Sequence, residues 1–285
     1  MTHRQVPEGV GRTGIVLAAV RAEESRRPDR LFDDPYAEAF VAAAPEAIAE
    51  ERPAKRASGP AARCGAALDI QIVLRTRFYD DYLLAACAAG CRQVVLLAAG
   101  LDSRAFRLAW PHGVRLYELD LPEVLSFKQH VLDSQHAAPR CERVALAVDL
   151  RADWPAELTG AGFQLSAPTG WLAEGLLIYL STAEVARLLT AVDRLSAPGS
   201  QLSFGYRTPE QMRSLLSRAR QAPGVAPVAS LWKGGIAEDA PDWLSRHGWR
   251  TRLYDYAALA ASYGRPITAI SSGSFLVAVR LSPPA

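Results

Sequence analysis

Lysine is nearly missing from this chain of 285 residues: Lys55, Lys128 and Lys233 are its only lysines, and arginine carries almost all the positive charge. With a formal net charge of +2, there is no excess of one sign to make a nucleic-acid surface. No apolar run approaches the roughly 20 residues that span a bilayer. The opening stretch, MTHRQVPEGVGRTG, has none of the apolar core found in a secretory signal, so a cytoplasmic protein is expected. Cysteine is sparse too. Cys64, Cys87, Cys91 and Cys141 form no CxxC pair, and the reading for Cys87 and Cys91 is buried free thiols. Five scattered histidines show no metal-ligand spacing, so no metal site is expected.

Two glycine-rich signatures are also absent. The segment Gly100-Leu101-Asp102-Ser103-Arg104 has one glycine where a dinucleotide fingerprint has three, and no Walker GKS/T sequence occurs. A pyrophosphate needs backbone access at several points, so both absences disfavour NAD and ATP.

What is present is an alternation of helix and strand. Residues 13–50 read as helical with a break at Pro28, residues 51–65 as a surface loop, and Leu68–Ala89 as a third helix. From Gln93 onward, short apolar runs alternate with helical spacing: QVVLLAAG, VRLYELD, ERVALAVDL, TGWLAEGLLIYL and SQLSFGY, then RTRLYDY and SSGSFLVAVRL. This predicts a mostly parallel seven-stranded α/β sheet with helices on both faces and an antiparallel edge. The expected organisation is one domain over 1–285. It comprises an N-terminal helical cap (1–90), a ligand-binding core (91–206), a lid (207–242) and the C-terminal part of the sheet (243–285). The lid opens with the helical PEQMRSLLSRARQA.

Ligands of open α/β sheets bind beyond the carboxyl ends of the strands. Gly100 follows the first apolar run, and Asp120 ends the second, where an acid can hold two ribose hydroxyls. Asp149-Leu150 closes the third, where a carboxylate can accept from an adenine amine and a backbone N–H can donate to the ring. Glu174 lies within the fourth. An ionised glutamate in an apolar strand needs a positive partner, either the ammonium of a ligand or an internal arginine. A bidentate donor for a ligand carboxylate is supplied by Arg77, with Arg75 as the fallback. Ribose, adenine and an amino-acid end without phosphate describe S-adenosylmethionine.

The motifs RTRFYDD, VVLLAAGLDSRAFRL, YELDLPEV, VDLRADW and WLAEGLLIYLS, taken in order, resemble the leucine carboxyl methyltransferase family in its bacterial branch. The N-terminal RAEESRRPDRLFDDPYA and the later WLSRHGW and YGRP extend the resemblance over nearly the whole chain. The resemblance implies a Rossmann-like class I methyltransferase that uses S-adenosylmethionine and belongs to secondary metabolism. It also implies that Arg77 binds the cofactor carboxylate, with Gly100, Asp120, Asp149, Leu150 and Glu174 in the roles above. The expected acceptor is a small molecule, with no nucleic-acid or membrane partner. Because no His–Asp base pair follows the cofactor motifs, a carboxylate acceptor is favoured over a phenol or alcohol, which would benefit from a base. A non-catalytic cofactor-binding protein is the remaining alternative. Tyr206 and Arg207 are the expected acceptor contacts, Arg207 reading equally as a solvated loop arginine. Tyr79 and Tyr179 read as packing, and Trp232, Trp243 and Trp249 as cap and core.

Overall fold

The computed structural model describes residues 10–47, 60–221, 229–236, 238–265 and 273–282. Two helices lead, α1 (Val10–Ser25) and α2 (Ala37–Ala42), followed by the long α3 (Pro60–Ala88). The core then alternates: β1 (Gln93–Leu97), α4 (Arg104–Arg107), β2 (Arg115–Asp120), α5 (Pro122–Ser134), β3 (Glu142–Ala147), α6 (Trp154–Gly160), β4 (Thr169–Ala173), α7 (Thr182–Arg194) and β5 (Gln201–Tyr206). An excursion follows with α8 (Pro209–Gln221) and α9 (Ala240–Arg246), then β6 (Trp249–Asp255), α10 (Tyr256–Ser262) and β7 (Ser274–Arg280).

The seven strands form one sheet in the order β3-β2-β1-β4-β5-β7-β6. β1 to β5 pair in parallel, and β7 is antiparallel to both β5 and β6. The antiparallel strand therefore lies inside the sheet and β6 forms the edge, rather than the antiparallel strand itself being the edge.

Burial follows the pleat. Val94 and Leu96 of β1 point into one core with Phe40, Tyr79, Leu83 and Phe127, beneath α1, α2, α3 and α5. Val95 and Leu97 point into the other with Trp154, Trp171, Leu188 and Leu244, beneath α6, α7 and α9. A strand buried on both faces has no polar side to show, hence its unbroken apolar run.

Two sequence expectations shift. α3 begins at Pro60, so residues 60–65 are helix and not loop, while 51–59 lie outside the described residues. The fourth strand stops at Ala173, because Gly175 turns back at φ +65° and Leu177–Tyr179 form a 3₁₀ turn. Glu174 thus stands just past a strand end and not within a strand. Cys87 and Cys91 are buried free thiols, as expected. Among the described residues, no helix is long and apolar enough to cross a membrane, and no His/Cys/Asp/Glu group could hold a metal ion.

Candidate active site

β1 and β4 are neighbours whose helices cross to opposite faces, so the chain leaves a crevice beyond their carboxyl ends. A cavity of about 1170 Å³ occupies this crevice. Pockets for a single drug-sized ligand span roughly 300–1,000 Å³, so this one has room for a cofactor and a second molecule.

The turn after β1 is tightly wound. Ala98 (φ +58°) and Gly100 (φ +50°) both take left-handed conformations, and Ala99 N donates to Leu119 O at 3.0 Å. The turn presents Gly100 N to Asp120, whose Oδ2 accepts at 2.6 Å, while Asp120 Oδ1 accepts from Leu121 N at 2.7 Å. Burial pushes the Asp120 carboxyl above its usual range, against the two backbone N–H groups and Lys128, which favour its charge. Each oxygen is held by one N–H and keeps acceptor capacity.

A Cβ at Gly100 would meet nothing within 4 Å among the described residues, so within the fold glycine is favoured there by its left-handed backbone and not by crowding. Gly100→Ala should therefore fold, at a cost of about 1–2 kcal/mol for the left-handed alanine. Chemical denaturation would measure this loss, and an unchanged stability would contradict the assigned backbone conformation.

The third and fourth strand ends complete the wall. Asp149 and Leu150 line the cavity two and three residues beyond β3. Asp149 is already occupied, since Arg151 donates to both of its oxygens; these bonds hold its carboxyl below the usual range. Glu174 receives Arg75 Nε on Oε1 and Arg104 on Oε2, each at 2.7 Å. Internal arginines are thus partners of Glu174.

Arg77 is the principal correction. It turns away from the cavity to Asp81 (2.9 Å) and the carbonyl of Leu31 (3.0 Å), and its guanidinium lies 5.9 Å from the centre of the Tyr263 ring. Arg75 lines the cavity in its place. Residues two apart on a helix point some 200° from each other, so only one of the pair can face the sheet end.

The fold also gathers residues with no assigned role. Arg104 is 3% exposed and binds Asp80 (2.7 Å), Asp102, Glu174 and the carbonyl of Thr76 (3.2 Å). Arg107 adds two bonds to Asp80 at 2.6 and 2.7 Å. The signal in the sequence was the pair of arginines in DSRAFRL, but apart from Asp102 their acidic partners, Asp80 and Glu174, lie far along the chain.

From the N-terminal side, Arg21 of α1 bonds the carbonyl of Leu101 at 2.8 Å and Asp34 at 2.7 Å. Gly14 lies so close to Leu101 that a Cβ would approach its side chain to 3.3 Å. Without side-chain bulk at Gly14, α1 can rest directly on the first turn of the site.

The other end of the cavity is closed by the excursion after β5. Met212, Leu215 and Ala219 of α8 line it, together with Leu231, Trp232 and Ile236. The loop is pinned by its backbone: Lys233 N donates to Ile178 O at 2.8 Å and Gly235 N to Leu180 O at 3.2 Å.

Tyr206 and Arg207 both line the cavity. Tyr206 is buried and donates its hydroxyl to Asp239 at 2.5 Å, and Arg207 lies over the Tyr256 ring at 5.6 Å. Tyr79 is fully buried and Tyr179 partly buried, and both are among the residues that line the cavity. The tryptophans divide. Trp249 is core and bonds Asp193 (2.8 Å), and Trp243 stacks on His247; Trp232 instead faces the cavity, with its indole N–H unpartnered among the described residues.

A sequence profile of the leucine carboxyl methyltransferase family matches residues 14–193. A protein of Frankia alni is 52% identical over 282 residues, covering 97% of this chain and 96% of its own length. A protein of a Parafrankia strain is 49% identical over 280 residues, covering 98% and 89%. Both carry provisional names as S-adenosyl-L-methionine-dependent methyltransferases. Among solved structures, a DUF574-family protein of Streptomyces avermitilis shares the fold with a TM-score of 0.52 at 17% identity, over 92% of this chain and 96% of that one. A provisionally named methyltransferase of Thermobifida fusca has the same TM-score at 18% identity, over 77% and 86%. On the family match and these near full-length relatives, the chain belongs to the leucine carboxyl methyltransferase family.

Proposed function

We propose that this chain methylates a carboxylate oxygen of a small natural-product acceptor. As a member of its family it is an S-adenosylmethionine-dependent methyltransferase. The residues present suit that cofactor: a glycine turn with no Cβ to obstruct it, a carboxylate held by two backbone N–H groups, and a Glu–Arg pair further along the same wall. Asp120 would hold the ribose hydroxyls, Asp149 and Leu150 the adenine, Glu174 the ammonium and Arg75 the carboxylate. When bound, the cofactor supplies an electrophilic methyl group on a sulfonium.

The observation that favours a carboxylate acceptor is the charge of the acceptor side. Arg207, Arg218 and Lys233 line it, no histidine does among the described residues, and Glu174 is engaged by two arginines. A carboxylate is ionised near neutral pH and needs no proton removed, so a site without a base is sufficient for it. The apolar wall of Leu176, Ile178 and Trp232 excludes water, which suits a step in which opposite charges are lost. The chain's contribution is then alignment and desolvation.

The test uses labelled S-adenosylmethionine and a small-molecule extract of the host, followed by mild alkali. Release of the label as methanol is the expected result for a methyl ester. Alkali-stable products would assign a hydroxyl acceptor, and no labelled product would favour the non-catalytic alternative.

A further inference from the structure

Tyr79 is fully buried, and its hydroxyl has no hydrogen-bond partner among the described residues. A buried hydroxyl left in this state is destabilising, and phenylalanine would fill the same space without that penalty. Tyr79 is among the residues that line the cavity. Its ring lies 5.1 Å from that of Phe275, and the Tyr256 ring lies 4.7 Å from the same phenylalanine, so both tyrosines pack against one residue of the cavity wall.

Tyr256 is held firmly. Its N–H donates to Gly273 O at 3.2 Å, and Gly273 fits so closely that a Cβ would come within 2.7 Å of the ring. Gly205, the one residue of β5 exposed here, leaves the space beside the Tyr256 hydroxyl open; a Cβ there would stand 3.5 Å from that oxygen. Arg207 lies over the same ring at 5.6 Å.

We infer that the hydroxyls of Tyr79 and Tyr256, with the guanidinium of Arg207, form the receptor for the acceptor's carboxylate. The acceptor's apolar body then lies under Met212, Leu215, Leu231 and Trp232. The inference rests on the carboxylate reading above and adds the acceptor class, an acid with a sizeable apolar body. A carboxylate offers about four lone-pair sites, so three donors can hold it and leave an oxygen lone pair for methylation. Both phenols are pushed above their usual range by burial, so they stay protonated and serve as donors.

The experiment uses the full chain saturated with S-adenosylhomocysteine. Phenylbutyrate, naphthylacetate and decanoate are titrated beside the corresponding alcohols, and binding is followed by calorimetry and by saturation-transfer NMR. The acids should bind at least about tenfold more tightly than the alcohols, the worth of one charge-assisted hydrogen bond. Tyr79→Phe and Tyr256→Phe should each remove most of that preference without changing S-adenosylhomocysteine affinity.

Equal binding of acids and alcohols to the unmodified chain, or binding of neither, would overturn the carboxylate reading and the receptor with it. A preference that survives both substitutions would overturn the receptor alone. Loss of S-adenosylhomocysteine affinity in Tyr79→Phe would also overturn it, by assigning Tyr79 to the cofactor.

Discussion

Asp120→Ala should weaken S-adenosylhomocysteine binding by at least about a hundredfold. The ribose hydroxyls would lose two charge-assisted hydrogen bonds, each worth about 1.5–3 kcal/mol, and Gly100 N would lose its acceptor at 2.6 Å. Asp120→Asn keeps one good acceptor and should lie between the two. Calorimetric titration reads both values, and an affinity unchanged in Asp120→Ala would remove Asp120 from the site.

The pH dependence has a definite sign. Burial raises the Asp120 carboxyl despite its backbone bonds, and the ionised form is the one that accepts both hydroxyls. Affinity should therefore fall as pH drops through a midpoint above the ordinary aspartate value. In Asp120→Asn that acid limb should disappear.

Arg104→Met should cost about 3–5 kcal/mol of stability, the range for removing one partner of a buried ion pair. Three acids lose the cation between them: Asp80, Asp102 and Glu174, the first two nearly inaccessible to water. For a chain of this size the melting temperature should drop on the order of 10 °C. Arg104→Lys keeps the charge but cannot serve three carboxylates from one rigid fork, and should recover only part of the loss.

The acids set the pH window. Burial pushes Asp102 and Glu174 upward, but Arg104 together with Lys128 and Arg107 at Asp102, and with Arg75 at Glu174, brings both below their ordinary values. Their contribution is in force above the ordinary carboxylate range and is lost as pH falls through the depressed values. The gap between the original and the Met variant should accordingly be widest near neutrality and narrow in acid. A gap independent of pH would show that packing, and not charge, is what Arg104 supplies.

The sheet was legible in the sequence because its strands are buried on both faces and read as continuous apolar runs. Asp120 and Gly100 were legible because strand ends carry ligands in such sheets, whatever the ligand. The choice between Arg75 and Arg77 was not. α3 is buried on nearly all sides, from Ile72 and Val73 round to Tyr82 and Leu83, so hydrophobic periodicity does not mark which face meets the cavity. Glu174 was legible as a charge needing a partner, but Arg104 lies 70 residues earlier in the chain. Trp232 fell among cap residues for a similar reason: the backbone bonds to Ile178 and Leu180 that turn it inward leave no trace in composition.

The place of β7 bears on how the protein is made. Residues 93–174 supply four adjacent parallel strands and, with Arg75 of the earlier α3, the proposed cofactor wall, so this half can pair before the later strands are made. β5 can pair with β4 at once, but its other edge must wait for residues 274–280, where Ser274 pairs with Tyr206. Until then β5 presents an unpaired edge, the kind of surface that invites misassembly. During synthesis, the proposed donor side is therefore assembled before the proposed acceptor side, whose strand β5 gains its second neighbour only when β7 is made.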